Sequence, residues 1–186
     1  QPAFGFAVDR DNKVWGATIG GLHRPDGNHW TLVGTDAGLP GNYFTDVLLD
    51  RDGALWCSGP PGAFVRPAGS TMFQKVPAAT GFGHLAETSD GKVWFSGDPQ
   101  IVSLSAVRAD PKRSPPGLHT QSKDGAGTGK IIADRDGGLW FGKGFFGIGR
   151  LARPATVPPL SSRQFITDRI EHFGRPLGLS GEIVQS

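Results

Sequence analysis

Ala7-Val8-Asp9-Arg10-Asp11-Asn12-Lys13-Val14-Trp15 is the stretch that decides the fold, because close copies of it occur three more times along the 186 residues. The other copies run from Leu48 to Trp56, from Ala86 to Trp94 and from Ile132 to Trp140. Their tryptophans, at positions 15, 56, 94 and 140, are separated by 41, 38 and 46 residues, and only Trp30 falls outside this series. Repeats of this length that contain several short strands are typical of propeller blades.

Each copy predicts a β-hairpin. An apolar strand leads into Asp-x-Asp-Gly or a close variant, and a second strand then carries an aliphatic residue followed by tryptophan. Glycine or asparagine supplies the positive φ that a tight turn needs, and the aspartate can accept a hydrogen bond from the backbone two residues on. A small-residue loop, a third strand and a fourth strand follow, for example His29–Val33, Met72–Val76 and Ile170–Phe173. Four strands per unit form a blade, and we expect the four repeated tryptophans to lie between neighbouring blades.

The repeat therefore predicts an all-β protein, a β-propeller of four four-stranded antiparallel blades plus a leftover inner strand. We place the blades at residues 4–36, 43–77, 83–123 and 129–174, and the start of a fifth at 178–186, within a single partial propeller. The last segment has the pattern of the loop and inner strand that open a blade, so we expect a larger parent propeller. An incomplete ring has open edges, and the expected partners are the remaining blades of the parent or a second copy in a dimer.

Composition excludes several other classes of protein. Nineteen basic and 17 acidic residues give a net charge of +2 and are scattered, whereas nucleic-acid binding favours clustered basic residues. The single cysteine, Cys57, cannot form an intrachain disulfide, and we expect it to pack as a small apolar residue. No run of 18 apolar residues is present, so we expect membrane attachment only through segments outside this chain.

The repeat resembles the two-component regulator propeller repeat. The motifs that carry this resemblance are Asp-x-Asp-Gly-x-Leu-Trp at residues 134–140, Gly-Leu-x-Arg at 21–24, Gly-Leu-Pro at 38–40 and Gly-Leu-Ser-Gly at 178–181. The second and third units depart from the pattern after their tryptophans, with loops at 58–62 and 96–100 that lack the usual Thr and Gly-Leu. The resemblance implies a seven-bladed propeller in the periplasmic sensor region of membrane-bound histidine kinases and hybrid two-component systems. It also implies a non-catalytic chain, a kinase domain elsewhere in the parent protein, and carbohydrate or other small-molecule ligands.

Two other functions stay open at this stage. The fourth unit is also similar to the repeat of streptogramin lyases, which use a histidine base and a metal ion, and a protein-interaction scaffold is the third reading. We find no cluster of histidine and glutamate in the loops that would form the ligand-binding face of a propeller, and this favours the sensor.

Candidate ligand-binding residues lie in those loops, between the second and third strands of a blade and between successive blades. An aromatic ring beside an amide or imidazole suits a sugar, because the ring stacks on C–H groups and the polar group binds hydroxyls. The loops also hold Thr18 and Ile19. The alternative is that these side chains only fill the central channel or pack between blades. The predicted ligand-binding residues are Asn42, Tyr43, Phe82, His84, Phe145 and Phe146.

We predict no cofactor, metal or catalytic residue. The Asp-Arg-Asp-Gly turns lack the six spaced ligands of a calcium loop, and Gly125–Lys130 lacks the spacing of a phosphate-binding loop and precedes a strand. The basic, proline-containing stretch at residues 108–123 is predicted to be a solvated loop that enlarges the third blade, with a partner contact as the alternative.

Overall fold

The computed structural model describes residues 2–41, 43–77, 79–97, 100–104, 117–119, 129–142, 147–152 and 170–173. The first two units contain β1 (Ala3–Val8), β2 (Val14–Thr18), β3 (Gly21–Asp26), β4 (His29–Val33), a 3-10 turn (Thr35–Ala37), β5 (Asp46–Leu49), β6 (Leu55–Gly59), β7 (Gly62–Arg66) and β8 (Gln74–Lys75). The others contain β9 (Gly83–Glu87), β10 (Val93–Gly97), β11 (Gln100–Ser103), β12 (Gly117–His119), β13 (Ile131–Ala133), β14 (Leu139–Gly142), β15 (Ile148–Leu151) and β16 (Ile170–Phe173). No helix within these ranges is long and apolar enough to cross a membrane.

The strands form four four-stranded antiparallel sheets, each built from consecutive strands in chain order. We number these sheets 1 to 4. The predicted all-β fold is confirmed, and every tryptophan of the repeat pairs with a residue on the first strand of its own sheet. Two details differ from the predictions. The fourth strand of sheet 2 is only Gln74–Lys75, and the stretch 108–123 is not loop throughout, because Gly117–His119 pairs with β11. The proposed fifth start at 178–186 lies outside the described residues.

In sheets 1, 2 and 4 the hairpin turn is held by the aspartate that precedes it, and in sheet 3 Thr88 stands at this position. In the second turn, Asp50 Oδ1 accepts hydrogen bonds from the amides of Asp52 and Ala54, at 3.0 and 2.9 Å. Gly53 takes a φ of 87°, and Asn12 takes 60° at the same place in the first turn. These are the left-handed conformations that glycine and asparagine adopt most readily. The turn chemistry predicted from the sequence is therefore confirmed, with the aspartate bonding the backbone two residues on.

Among the described residues, the core consists of three apolar clusters, each between two neighbouring sheets. Trp15, Trp56 and Trp94 are buried in these clusters, as predicted. Trp140 differs: the structure shows it partly buried against its own sheet, with Phe173 at 5.2 Å between ring centroids and the Arg150 guanidinium 5.3 Å from the ring. Cys57 is buried as an unpaired thiol, as expected, and burial raises its pKa well above the ordinary value.

Hydrogen bonds tie each sheet to the next near the first strands. The amide of Phe44 donates to the Thr18 carbonyl at 3.0 Å, which links sheets 1 and 2. Ser58 Oγ donates to the Gly83 carbonyl at 2.7 Å, and Ser96 Oγ donates to the Gly129 carbonyl at 3.2 Å. Both serines stand two residues after a repeat tryptophan, so the same local motif makes the link from sheet 2 to sheet 3 and from sheet 3 to sheet 4.

Candidate ligand-binding site

A row of aromatic rings crosses the beginnings of the first strands of three successive sheets. Phe4 lies in β1, Tyr43 precedes β5, Phe82 immediately precedes β9, and His84 lies within it. The ring centroids are 5.9 Å apart between Phe4 and Tyr43, 6.1 Å between Tyr43 and Phe82, and 5.7 Å between Phe82 and His84. We call Phe4, Tyr43, Phe82 and His84 the aromatic row. It lies at the loop end of the sheets, opposite the aspartate turns.

Three of the predicted ligand-binding residues, Tyr43, Phe82 and His84, belong to this row. The other three, Asn42, Phe145 and Phe146, lie outside the described residues. Phe4 was missed, because Phe4, Phe6 and Val8 alternate along one strand and that pattern is typical of a core face. The signal that could have found Phe4 is its place at the start of an inner strand, where it reaches the same end of the sheets as the loops.

Of the two remaining loop residues, Thr18 is engaged in its own turn. Its hydroxyl donates to the Gly21 carbonyl and accepts from the Gly20 amide, both at 3.0 Å. Ile19 is exposed beside it.

His84 lies at the edge of the row beside a buried carboxylate. Its Nδ1 lies 3.5 Å from Asp46 Oδ2, at ion-pair distance, but this buried nitrogen makes no hydrogen bond. Asp46 is itself fixed, because its Oδ1 accepts from the Val47 amide at 3.0 Å and its Oδ2 from the Leu85 amide at 3.1 Å. Whereas the sequence suggested a loop position for His84, the structure places it in β9, paired with Ser96. The imidazole therefore belongs to a paired strand of the sheet and not to a loop.

Glycines and a serine set the position of the two central rings. Gly83, between Phe82 and His84, has its carbonyl bound by Ser58 Oγ at 2.7 Å and by Thr45 Oγ1 at 3.5 Å. Tyr43 has a φ of 29°, in the left-handed region that side chains other than glycine rarely occupy. A Cβ on Gly59 would overlap the Tyr43 carbonyl, so the close approach of β6 depends on glycine at that position. Strained residues of this kind cluster at functional sites.

The row combines exposed apolar rings with hydrogen-bonding groups. Phe4 is 43% exposed and Phe82 48%, whereas His84 and Asp46 are largely enclosed beside them. Such a surface can stack on a flat apolar or C–H face and can bind a hydroxyl or amide at one end. In the ranges that the structure describes, no three histidine, cysteine, aspartate or glutamate residues come together as potential metal ligands.

The solved structures that this chain resembles are β-propellers, and this is the class of protein that its fold defines. A catalytically inactive virginiamycin B lyase from Staphylococcus aureus, solved with quinupristin, is 15% identical, with a TM-score of 0.66 over 96% of this chain and 57% of the lyase chain. A gluconolactonase from Xanthomonas campestris is 19% identical, with a TM-score of 0.59 over 79% of this chain and 57% of its own.

The extracellular domain of a hybrid two-component system, BT3049 from B. thetaiotaomicron, is 15% identical, with a TM-score of 0.64 over 87% of this chain and 25% of that chain. Residues 38–60 match the family described as the two-component regulator propeller. Residues 38–60 thus carry a two-component regulator propeller repeat, and the Gly-Leu-Pro motif at 38–40 falls within the match. No curated protein matches the sequence significantly. The chain spans little more than half of the two enzymes and a quarter of the receptor domain.

Proposed function

We propose that this chain is part of the ligand-binding sensor region of a two-component receptor, located outside the cytoplasm in the periplasm and without catalytic activity of its own. The family match at residues 38–60 and the fold shared with a receptor's extracellular domain support the sensor role. The single observation that carries the binding role is the aromatic row at the loop end of three successive sheets, in which Phe4 and Phe82 are exposed and Tyr43 and His84 are partly buried. A sensor propeller needs a surface that binds its ligand, and it needs no catalytic residue.

The ligand that fits the row best is a carbohydrate or a similar small molecule. Sugar rings have C–H faces that stack on Phe and Tyr, and their hydroxyls need fixed polar partners. The imidazole of His84, beside the enclosed Asp46 carboxylate, offers such a partner at one end of the row. Asn42, Phe145 and Phe146, which the sequence assigns to the same face, are proposed to extend the site.

A glycan array probed with this chain, followed by calorimetric titration of the best oligosaccharide, tests the proposal. We expect Tyr43→Ala and Phe82→Ala each to raise the Kd at least about tenfold, since each removes a stacking surface. Met72→Ala is the control, because Met72 is also an exposed large apolar side chain but lies away from the row. Unchanged affinity in both row variants would show that the aromatic row is not the binding site. An array without binding would show that the ligand is not a carbohydrate.

A second candidate is a lyase-like propeller enzyme, which the fold shared with virginiamycin B lyase favours. Quinupristin separates the two candidates: a sensor leaves it intact in mass spectrometry, whereas a lyase produces a cleaved product. Cleavage that is lost in His84→Ala would establish the enzyme.

A further inference from the structure

The position ten residues before each repeat tryptophan holds a different residue in every sheet. In chain order these residues are Gly5, Asp46, His84 and Lys130. The strand register confirms the match, because Asp46 lies opposite Ser58 and His84 opposite Ser96, and both serines stand two residues after a repeat tryptophan. Asp46 and His84 therefore occupy equivalent places on the first strands of two neighbouring sheets. We call Asp46 and His84 the inner pair.

The carboxylate of the inner pair is enclosed between two strands. On the side of sheet 1 stands Gly5, where a Cβ would come within 3.0 Å of Asp46 Oδ1. On the side of sheet 3, the Leu85 amide donates to Asp46 Oδ2 at 3.1 Å, while the Val47 amide donates to Oδ1 at 3.0 Å. Both oxygens thus act as hydrogen-bond acceptors, which is the pattern of a carboxylate.

This carboxylate decides which nitrogen of His84 carries a proton. Nδ1 is buried, lies 3.5 Å from Asp46 Oδ2 and makes no hydrogen bond. If Nδ1 had no proton, its lone pair would face the carboxylate oxygen, and two acceptors would meet. A proton on Nδ1 makes this contact attractive, and such a long contact can shorten when a ligand binds. In the neutral imidazole, Nε2 is then the acceptor.

Nε2 is the imidazole nitrogen that remains for a ligand. The side chain of His84 is 17% exposed, and within the described part of the chain Nδ1 is the only buried side-chain nitrogen or oxygen without a partner. The ring of Phe82 stands nearly perpendicular to the imidazole, with centroids 5.7 Å apart. A sugar stacked on Phe82 would therefore bring its substituents to the edge of His84.

The titratable and charged side chains around His84 come from its neighbouring sheets. Asp46 lies on the side of sheet 2, and Lys130, exposed just before β13, occupies the corresponding place in sheet 4. Tyr43 is the other titratable residue of the aromatic row, beside Phe82. Of these residue types, histidine is the one whose charge ordinarily changes between about pH 5 and 8.

We propose that His84 determines which sugars the aromatic row accepts and that Asp46 positions it. With one proton, on Nδ1, the imidazole accepts a hydrogen bond at Nε2 from a sugar hydroxyl. A second proton makes Nε2 a donor, which a sugar carboxylate accepts in a charge-assisted hydrogen bond. The row therefore favours neutral sugars at pH 8 and gains affinity for acidic sugars at pH 5. The choice of sugars rests on the proposed function, whereas the orientation of the imidazole does not.

Nuclear magnetic resonance of the 186-residue chain, with isotope-labelled histidine, tests the orientation without any sugar. Long-range proton–nitrogen correlations at pH 8 show which nitrogen carries the proton, and His84→Gln identifies the His84 signals by their loss. We expect the Nδ1–H tautomer in the unaltered protein and a shift towards Nε2–H in Asp46→Asn, whose amide can donate to Nδ1. His29, an exposed histidine, is the internal control. An Nε2–H tautomer in the unaltered protein would overturn the role of Asp46.

Titration with methyl β-glucoside and methyl β-glucuronide, at pH 8 and pH 5, tests the selection. These sugars differ only in a hydroxymethyl group and a carboxylate. We expect the Kd of the glucuronide, divided by that of the glucoside, to fall at least about tenfold from pH 8 to pH 5, because a hydrogen bond between charged groups forms. His84→Gln should remove this change. Lys130→Gln, at the corresponding place of sheet 4, is the control and should keep it, and circular dichroism verifies that each variant is folded.

Three results would overturn the selection. Binding of both sugars with a Kd ratio that does not change with pH would show that His84 does not select between them, and would leave the proposed function intact. A change that persists in His84→Gln, or that Lys130→Gln abolishes, would assign the selection to another residue. Binding of neither sugar at either pH would contradict the carbohydrate ligand of the proposed function, and the selection with it.

Discussion

The aspartate at the start of the hairpin turn in sheets 1, 2 and 4 has two structural tasks. In sheet 2, Asp50 Oδ1 binds the turn amides, while its Oδ2 accepts the indole N–H of Trp56 at 2.7 Å. Asp9 with Trp15 and Asp134 with Trp140 repeat the arrangement, at 2.8 and 3.0 Å. The aspartate therefore fixes the turn and satisfies the one polar atom of a large core side chain. The sequence indicated only the first of these tasks.

For this reason, removal of the Asp50 side chain should lower the stability of the fold. Asp50→Ala leaves the buried indole N–H of Trp56 and the turn amides without their acceptor, and an unsatisfied buried donor costs about 1–3 kcal/mol. We expect the free energy of unfolding to fall by about 2–3 kcal/mol in urea titrations. Asp36→Ala, at an exposed position of the 3-10 turn, is the control and should change little.

Sheet 3 supplies a rescue variant for the same experiment. There, Thr88 Oγ1 accepts the Trp94 indole N–H at 3.1 Å and donates to Asp90 at 2.6 Å. In sheet 3, Thr88 and Asp90 together therefore replace the single aspartate of the other turns. Asp52 already stands where sheet 3 has Asp90. Asp50→Thr should thus recover part of the stability that Asp50→Ala loses, and equal losses in the two variants would contradict this account of the indole bond.

At the scale of elements, serines join one blade to the next. Ser58 and Ser96 follow their repeat tryptophans by two residues and donate to carbonyls at the start of the following sheet. Sheet 1 has Ala17 at this position and uses the Phe44 amide and the Thr18 carbonyl instead. These links fix the inner strands side by side, and the aromatic row depends on that alignment.

Ser58→Ala tests this link. The variant removes a buried 2.7 Å hydrogen bond to the Gly83 carbonyl, and the longer bond from Thr45 remains. We expect a loss of about 1 kcal/mol in the free energy of unfolding, the usual contribution of such a bond. Ser70→Ala removes an exposed hydroxyl that bonds only within its own turn, at Met72, and serves as the control. Equal effects of the two substitutions would show that the hydrogen bond between the blades contributes nothing to the free energy of unfolding.

At the scale of the whole molecule, the turn carboxylates make stability depend on pH. Partial burial opposes ionisation of Asp9 and Asp90, but hydrogen bonds from Trp15 and neighbouring amides to Asp9, and from Thr88 and Lys92 to Asp90, lower each pKa below its ordinary 3.8. The Gly138 amide and Arg150 likewise lower the pKa of Asp134. A lowered pKa in the folded state contributes stability above the unfolded pKa, and this contribution is lost as pH falls through the folded value.

We therefore expect the free energy of unfolding to decline as the pH falls below about 4, because the unfolded chain then binds more protons than the folded one. Denaturant titrations at pH 6, 4 and 3 measure the decline. Asp9→Asn should make the decline shallower, and Asp36→Asn, at an exposed position of the 3-10 turn, is the control. A decline that Asp9→Asn does not alter would show that Asp9 contributes nothing to it.

The hairpins and the number of sheets could be read from the sequence, because both follow from local chemistry. Turn residues, period-two alternation and the spacing of the tryptophans lie within single repeats, and the described residues form four antiparallel sheets. Local signals were weaker for strands with little apolar pattern, as the short β8 and the strand at Gly117–His119 show. Tyr43, Phe82 and His84 could be selected as candidate site residues because the residues near the start of each inner strand can be located once the repeat is known, although His84 lies in β9 and not in the predicted loop.

By itself, the sequence determined the repeat, the strand order within each sheet and the end at which the candidate site lies. Only the tertiary structure decided that Phe4 joins Tyr43 and Phe82, that Asp46 faces His84, and that Ser58 binds the Gly83 carbonyl. These contacts join side chains about one repeat apart, and they depend on how the sheets twist and pack against each other. The repeat pattern specifies each blade separately, so contacts between blades appear only when the sheets are assembled.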